Sequence, residues 1–566
     1  MSKVTDILRK PSALILWTVA ALLVPNIVLN ITEPYNLLWQ VANIALPTGV
    51  YLLLMVAMRR TGACALTTIP FMVLGAFQLV LTYLYGESII AVDMFLNVVT
   101  TNFTEATELL SNLAIAIIAV IVLYLPVIAW GIFQLAKKSE ASATLRRETA
   151  IWGLSLTLFG AGIAGVATFS STSDSHSGNT IGRCVFPVNV IGNMAEAVKR
   201  TGQTSDYPMT SRDFTFNATS GHTDGEREIY VYVIGETSRA INWQLGGYDR
   251  PTNPRLSQRD NVVFFNRAIS ESNTTHKSVP MLLSHLNAEN FDSINQVKSI
   301  ITAMKEAGFY TRFFSNQAPN RSYTEFFGQE ADDVRYTDRS SGAVPMDCDL
   351  LGWIRGAVTD SVHPRQFIVI HSYGSHFLYL DRYPRCDAFF LPDNHADATP
   401  AHRPDLINAY DNTIRHTDRF LDSVIAGLDS CRCLSALIYS SDHGEDIFDD
   451  SRERFLHASP NPTYYQLHVA MLAWVSDSLA AAHPGMLEAM EANSMKSVSP
   501  QRSMFPTMLD FSGVTTPVDD KRFSLARDTY TPGKPVYLND LNRALPLKKS
   551  GLKEPDIKLL QQLGCL

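Results

Sequence analysis

No Cys-x-x-Cys pair occurs among the 566 residues, and the chain holds only 7 cysteines. Zinc sites of the ribbon or finger kind, which need paired cysteines, are therefore excluded. Positive charge is not in surplus either, since the formal net charge is -8. Without a basic stripe to track a phosphate backbone, nucleic acid is not an expected partner. No internal repeat and no long low-complexity segment is present, so a solenoid is excluded.

Charge is scarcest at the front. Five stretches, 12–31, 37–58, 63–85, 112–135 and 150–170, contain no Asp, Glu, Lys or Arg. Each is about 20 residues or more, enough for a helix to cross a hydrocarbon core of about 30 Å. Every second connection is basic: Lys3, Arg9 and Lys10 precede the first stretch, Arg59 and Arg60 follow the second, and Lys137, Lys138, Arg146 and Arg147 follow the fourth. The opposite connections carry Glu33, Glu87, Asp93, Glu105 and Glu108 with no Lys or Arg. The basic connections are expected on the cytoplasmic side, which sends everything after Ser170 outside. The first stretch reads as an uncleaved anchor, because no small-residue cleavage site follows it. The expected division is a transmembrane domain over 1–171, a linker and bridging segment over 172–225, and an exported catalytic domain over 226–566.

Six of the cysteines, Cys184, Cys348, Cys386, Cys431, Cys433 and Cys565, fall in the exported part. An even number in an oxidising compartment predicts disulfides, with 15 possible pairings. Cys431 and Cys433 are close enough that a bridge between them is expected to be strained. In "NVVTTNFTEATELL", Asn97, Thr101 and Glu105 recur every four residues and share one helix face. The spacing alone fits the wet side of an amphipathic surface helix.

The exported part alternates strand-like and helical runs. "EIYVYVIGE", "VVFFNRAI", "YTRFFS", "QFIVIHSYG", "SALIYSSDHG" and "AMLAWVSD" read as strands, with helices expected over 293–307 and 404–428. Near-continuous apolar strands between helices indicate an α/β domain with a mostly parallel sheet covered on both faces. Ligand sites in such sheets form at the C-terminal strand ends. Glu236, His371, His376, Asp442 and His443 all follow strand ends, and "ESNTTHKSVP" follows another and is expected to open a helix. Two carboxylates, an imidazole and a threonine hydroxyl on one rim suit a divalent metal, zinc above others. A metal would lower the hydroxyl's pKa and turn a poor nucleophile into a competent one.

"VIGETSRAINWQLGGYDRPTNPRL", "TTHKSVPMLLS", "HSYGSHFLYLDRYP", "LINAYDNTIRHTD" and "SSDHGED" together resemble the phosphoethanolamine transferases of the Gram-negative inner membrane. The resemblance covers nearly the whole chain. It implies five spans ahead of an alkaline-phosphatase- and sulfatase-like periplasmic domain. It implies Thr275 as nucleophile, and Glu236, Thr275, Asp442 and His443 as ligands of one zinc ion, with a second ion possible. His376 and His457 match histidines that hold the phosphoryl group or a second metal. Asn97, Thr101 and Glu105 become lipid-headgroup residues. Arg321 stands where the family has a lysine near the phosphate, and Lys277, beside the nucleophile, is a phosphate contact or a solvated lysine. The implied reaction moves phosphoethanolamine from phosphatidylethanolamine to lipid A or another envelope glycan, by a monomer embedded in membrane lipid. The runner-up readings are a glycerophosphotransferase of the lipoteichoic-acid-synthase type and a non-catalytic envelope scaffold. Where the family's lipid A enzymes flank the nucleophile with a disulfide, this chain has Glu271 and Met281, so its loop must be held in another way.

Overall fold

The structure, a computed structural model, describes residues 9–33, 35–85, 90–100, 113–170, 180–221, 226–340, 344–394 and 398–566. The chain forms two compact units, one of Met1–Phe95 and Leu109–Lys199, the other of Leu96–Glu108 and Arg200–Leu566.

In the first unit, helices Pro11–Thr32, Leu37–Met55, Ala114–Ala136 and Ala143–Ser170 are each long and apolar enough to cross a membrane. Thr61–Thr67 and Ile69–Leu84 pass the same test only together, as a pair bent by 45°. The expected helix over 63–85 is therefore broken rather than straight. Pro70 has no amide hydrogen for the carbonyl four residues back, and its ring crowds that turn. Leu16, Trp17, Ile118, Val122, Trp152 and Phe159 stand exposed on the spans. Apolar faces of this size are untenable in water and ordinary in lipid. Small residues let two spans approach closely. A Cβ on Gly49 would lie 2.4 Å from the Thr157 amide nitrogen, and one on Gly160 2.5 Å from that of Leu46. The chain is a multi-pass membrane protein with a soluble C-terminal domain. Val92–Thr100 is helical and includes Asn97; Thr101 and Glu105 lie outside the described residues.

The second unit is built on a seven-stranded sheet. Its strands are β1 (Glu228–Gly235), β2 (Val262–Phe264), β3 (Tyr310–Ser315), β4 (Asp333–Tyr336), β5 (Arg365–His371), β6 (Leu434–Ser441) and β7 (Met471–Val475). Their order is β2-β7-β6-β1-β5-β3-β4. Only β7 runs against its neighbours. β4, with two charges in four residues, carries no strand signal in the sequence. The central strand β1 is buried along its whole length. Tyr230, Tyr232 and Ile234 join one core with Val279, Met281 and Phe505. Ile229, Val231 and Val233 join the other with Phe314, Ile354 and Tyr410. Two apolar faces explain why β1 reads as a continuous apolar run rather than an alternating one.

The long helix Arg403–Ser430 covers the second face. The helix expected over 293–307 is instead a 3-10 turn, Phe291–Gln296, followed by a helix Ile300–Glu306. Ser299 divides them, because its Oγ accepts the Ile301 amide hydrogen at 3.2 Å as an N-cap. Cys431 and Cys433 are joined in a disulfide. Arg432 between them has φ +49°, which folds the chain back to a Cα separation of 5.3 Å, within ordinary disulfide reach. Cys64, Cys184, Cys348, Cys386 and Cys565 are free.

Candidate active site

Parallel strands end on the same side of a sheet, and four of these ends make one rim. Ile234 of β1 is level with His371 of β5, and Gly235 with Ser441 of β6. Glu236 follows β1, and Asp442 and His443 follow β6. Gln317 lies just beyond β3. The helix Thr275–Leu282 begins against this rim with Thr275 as its first residue.

Thr275 Oγ1 lies 3.0 Å from His443 Nε2, and donates to Glu236 Oε1 at 3.2 Å. Glu236 also accepts from Thr237 Oγ1 at 2.9 Å and from Gln317 Nε2 at 3.1 Å. His443 Nε2 is 3.3 Å from both Glu236 Oε1 and Asp442 Oδ2. The backbone supports this closeness. Ser375 donates its amide hydrogen to the Glu236 carbonyl at 2.9 Å. Gly374, at φ +52°, makes room: a Cβ there would lie 2.6 Å from the Glu236 carbonyl oxygen. The same turn carries His376, whose ring is 6.1 Å from that of His457. The His457 ring lies 4.1 Å from that of His443.

The donor set fits a cation. Ligand atoms of Glu236, His443 and His457 lie within 4.8 Å of one another. Asp442 joins them through His443, and its Oδ2 is buried without a hydrogen-bond partner. Buried unpaired carboxylate oxygens are costly unless something positive meets them. Burial pushes the Asp442 carboxyl up to about 7. Burial and the nearby Asp442 raise Glu236 as well. Burial lowers both His443 and His457, the latter strongly. Neutral imidazoles beside carboxylates are the form in which these groups bind zinc.

Other residues fall differently from the sequence reading. Lys277 is not solvated. It is buried, with its Nζ donating to the Asn539 carbonyl at 2.7 Å. Two positions along a helix turn the side chain by about 200° from Thr275, which accounts for this direction. Arg321 is exposed, at φ +57°, with its amide hydrogen bonded to Glu325. His371 is buried below the rim, 3.2 Å from Ser315 Oγ and beside Phe313. The sequence reading passed over Gln317 and Glu445. Glu445 stands inside a stretch it singled out, "SSDHGED", and Gln317 stands four residues before Arg321. Glu445 is buried, with Oε1 accepting from Tyr379 Oη and Oε2 lying 3.8 Å from His457 Nδ1.

The segment around Thr275 is tied by a buried ion pair rather than a disulfide. Glu271 Oε1 accepts from Arg502 Nε and from Ser499 Oγ, and Oε2 accepts the Ala288 amide hydrogen at 2.7 Å. Met281 packs in the core.

Residues 228–514, just over half of the chain, match the sulfatase family model, and residues 46–201 match the family described as phosphoethanolamine transferase EptA/EptB. A Kdo(2)-lipid A phosphoethanolamine 7''-transferase of Salmonella typhimurium is 28% identical over 321 residues, 54% of this chain and 55% of that one. The chain thus spans about half the length of the curated relatives it matches. The integral membrane lipooligosaccharide phosphoethanolamine transferase A (EptA) of Neisseria meningitidis shares the fold at a TM-score of 0.72 and 22% identity, over 91% of this chain and 98% of that one. The periplasmic domain of EcEptC from Escherichia coli, in complex with Zn, aligns at a TM-score of 0.54 and 24% identity, over 60% of this chain and 98% of that one. The chain belongs to the sulfatase family, and ahead of that fold it carries a region of the EptA/EptB phosphoethanolamine transferases.

Proposed function

We propose that this protein transfers phosphoethanolamine from phosphatidylethanolamine to an envelope acceptor, lipid A foremost, through a covalent intermediate on Thr275. One observation carries the reading. A threonine hydroxyl starts a helix at the strand-end rim, within hydrogen-bond reach of Glu236 and His443. A hydroxyl so placed has neighbours to take its proton and a helix N-terminus that favours an anionic phosphoryl group.

Glu236, Asp442, His443 and the Thr275 hydroxyl would hold a zinc ion, with His457 and His376 beside it for a second. When bound, zinc supplies positive charge against a developing anion and lowers the pKa of a nearby hydroxyl. The rest is done by side chains. Thr275 Oγ loses its proton to the rim and attacks phosphorus. The bond from phosphorus to the diacylglycerol oxygen breaks, and that oxygen takes up a proton. His376, on the turn beside the group, is suited to deliver it. The acceptor then attacks phosphorus and displaces Thr275, which recovers its proton. Phosphatidylethanolamine reaches the site from the outer leaflet of the inner membrane, where the spans anchor the chain with its catalytic domain in the periplasm. Asn97, Thr101 and Glu105 serve the headgroup. An amine added to an anionic glycolipid weakens its attraction for cationic peptides.

The test is to incubate the detergent-purified protein with phosphatidylethanolamine and no acceptor, then map adducts by peptide mass spectrometry. Phosphoethanolamine on Thr275, absent from Thr275→Ala, is the expected result. Zinc-loaded protein that gives no adduct and releases no diacylglycerol would overturn the donor assignment.

A further inference from the structure

We propose that Gln501 is a positioning residue that sets Thr275 against the strand-end rim. The inference rests on the reading of Thr275 as nucleophile. Gln501 lies in the first turn of the helix Pro500–Ser512 and is buried. Its side-chain nitrogen donates to Ser270 Oγ and to Ser278 Oγ, each at 2.8 Å. Its side-chain oxygen accepts the Glu271 amide hydrogen at 3.1 Å. Both side-chain N–H groups are therefore used, and the Glu271 amide hydrogen fixes which way round the side chain lies.

The consequence reaches the site. A side-chain amide nitrogen can only donate, so each serine keeps its own proton for another acceptor. Both hydroxyls donate to one atom, the Asp442 carbonyl oxygen, each at 2.6 Å. Ser270 Oγ has a competing acceptor in the Ser272 carbonyl at 2.7 Å. Gln501 thus grips the chain five residues before Thr275 and three after it, and ties both points to the peptide of Asp442. The backbone that carries the nucleophile is referred directly to the backbone that carries Asp442 and His443. Arg502, next in the chain, adds the ion pair to Glu271. None of these side chains touches the reacting atoms. Their effect is on the distance from Thr275 Oγ1 to His443 Nε2, now 3.0 Å. A misplacement of about 1 Å in a reacting group costs on the order of 100-fold in rate.

The experiment compares full-length wild type, Gln501→Leu, Ser278→Ala and the double variant, all zinc-loaded in detergent. It reads the single-turnover rate of the Thr275 adduct, KM for phosphatidylethanolamine, bound zinc per chain and Tm. Gln501→Leu should slow adduct formation about 10- to 100-fold, with KM and bound zinc unchanged. Ser278→Ala should show a smaller loss of the same kind. The double variant should be no slower than Gln501→Leu, because both act through one connection. An adduct rate within twofold of wild type, a change confined to KM or zinc, or additive losses would overturn the proposal. If Gln501→Leu does not fold, Ser278→Ala decides alone, and a wild-type rate there overturns it. A wild type that forms no adduct removes the underlying reading instead, a result distinct from a wild type and a Gln501→Leu that react equally fast.

Discussion

Buried polar groups serve opposite ends in the two units. In the first, Asn43 on one span spends its side chain on structure. Its Nδ2 donates to the Asn26 carbonyl at 3.2 Å and to Asn30 Oδ1 at 2.9 Å. Its Oδ1 accepts from Asn26 Nδ2 and from the Phe186 amide, each at 3.0 Å. One residue thereby joins two spans to the chain that follows the last of them. At the strand-end rim of the second unit, Glu236, Asp442, His443 and His457 crowd together, and Asp442 Oδ2, Glu445 Oε2 and His457 Nδ1 make no hydrogen bond, the last two facing each other at 3.8 Å. The Asn43 network holds the fold, with Asn26 Oδ1 left without a hydrogen bond, whereas the charged rim stores the capacity to bind. Unmet buried groups of this kind are where function is to be sought.

The contrast is sharpest under substitution. Asp442→Asn keeps the shape and removes the charge. Zinc affinity should fall at least about 10- to 100-fold, with adduct formation falling at least as far. The Tm of zinc-free protein should hold or rise. Zinc titration and thermal melts in chelator check both, and a destabilised zinc-free variant would make Asp442 structural after all. Asn43→Leu should do the reverse. It strands the Phe186 amide and two acceptors inside the first unit, at a cost of about 3 kcal/mol. Melts in detergent should show the loss, while the isolated chemistry of surviving protein stays at the wild-type rate.

A smaller effect should come from a buried group that belongs to neither class. His285 lies among Phe214, Phe216 and Phe505. Burial lowers its pKa from 6.5 to about 4. The unfolded chain therefore binds the proton first as pH falls, so the folded state loses stability between pH 6.5 and 4. His285→Phe removes that term, and its gain over wild type should grow to about 2 kcal/mol at pH 5. A Tm difference that stays constant across this range would show that His285 is not held neutral.

How much could be read in advance depended on whether the cause was local. Glu236, Asp442 and His443 were legible because each ends an apolar strand, and parallel strands bring such ends together wherever they stand in the chain. The stretch "ESNTTHKSVP" was legible as the opening of a helix, while the choice of Thr275 within it came from the family resemblance. Lys277 was not, since two residues of helix turn a side chain to the far face. The 45° break at Thr61–Thr67 and Ile69–Leu84 was missed although Pro70 marks it, because hydropathy counts proline without its lost hydrogen bond. Strand β4 was missed because an edge strand of four residues needs little apolar character.

By itself the sequence determined the apolar spans, their basic connections, the order of sheet and helices, and the residue types at the strand ends. These follow from hydropathy, period and composition, which act over a few turns of chain. Tertiary structure alone decided that His457 joins Glu236 and His443, that Asn43 links two spans to Phe186, and that Gln501 and Arg502 grip the segment around Thr275 in place of a disulfide. Each of those contacts joins positions far apart in the chain, some more than 200 residues apart. A hydrogen bond or an ion pair depends on distances of a few ångströms, and such distances exist only once the chain has folded.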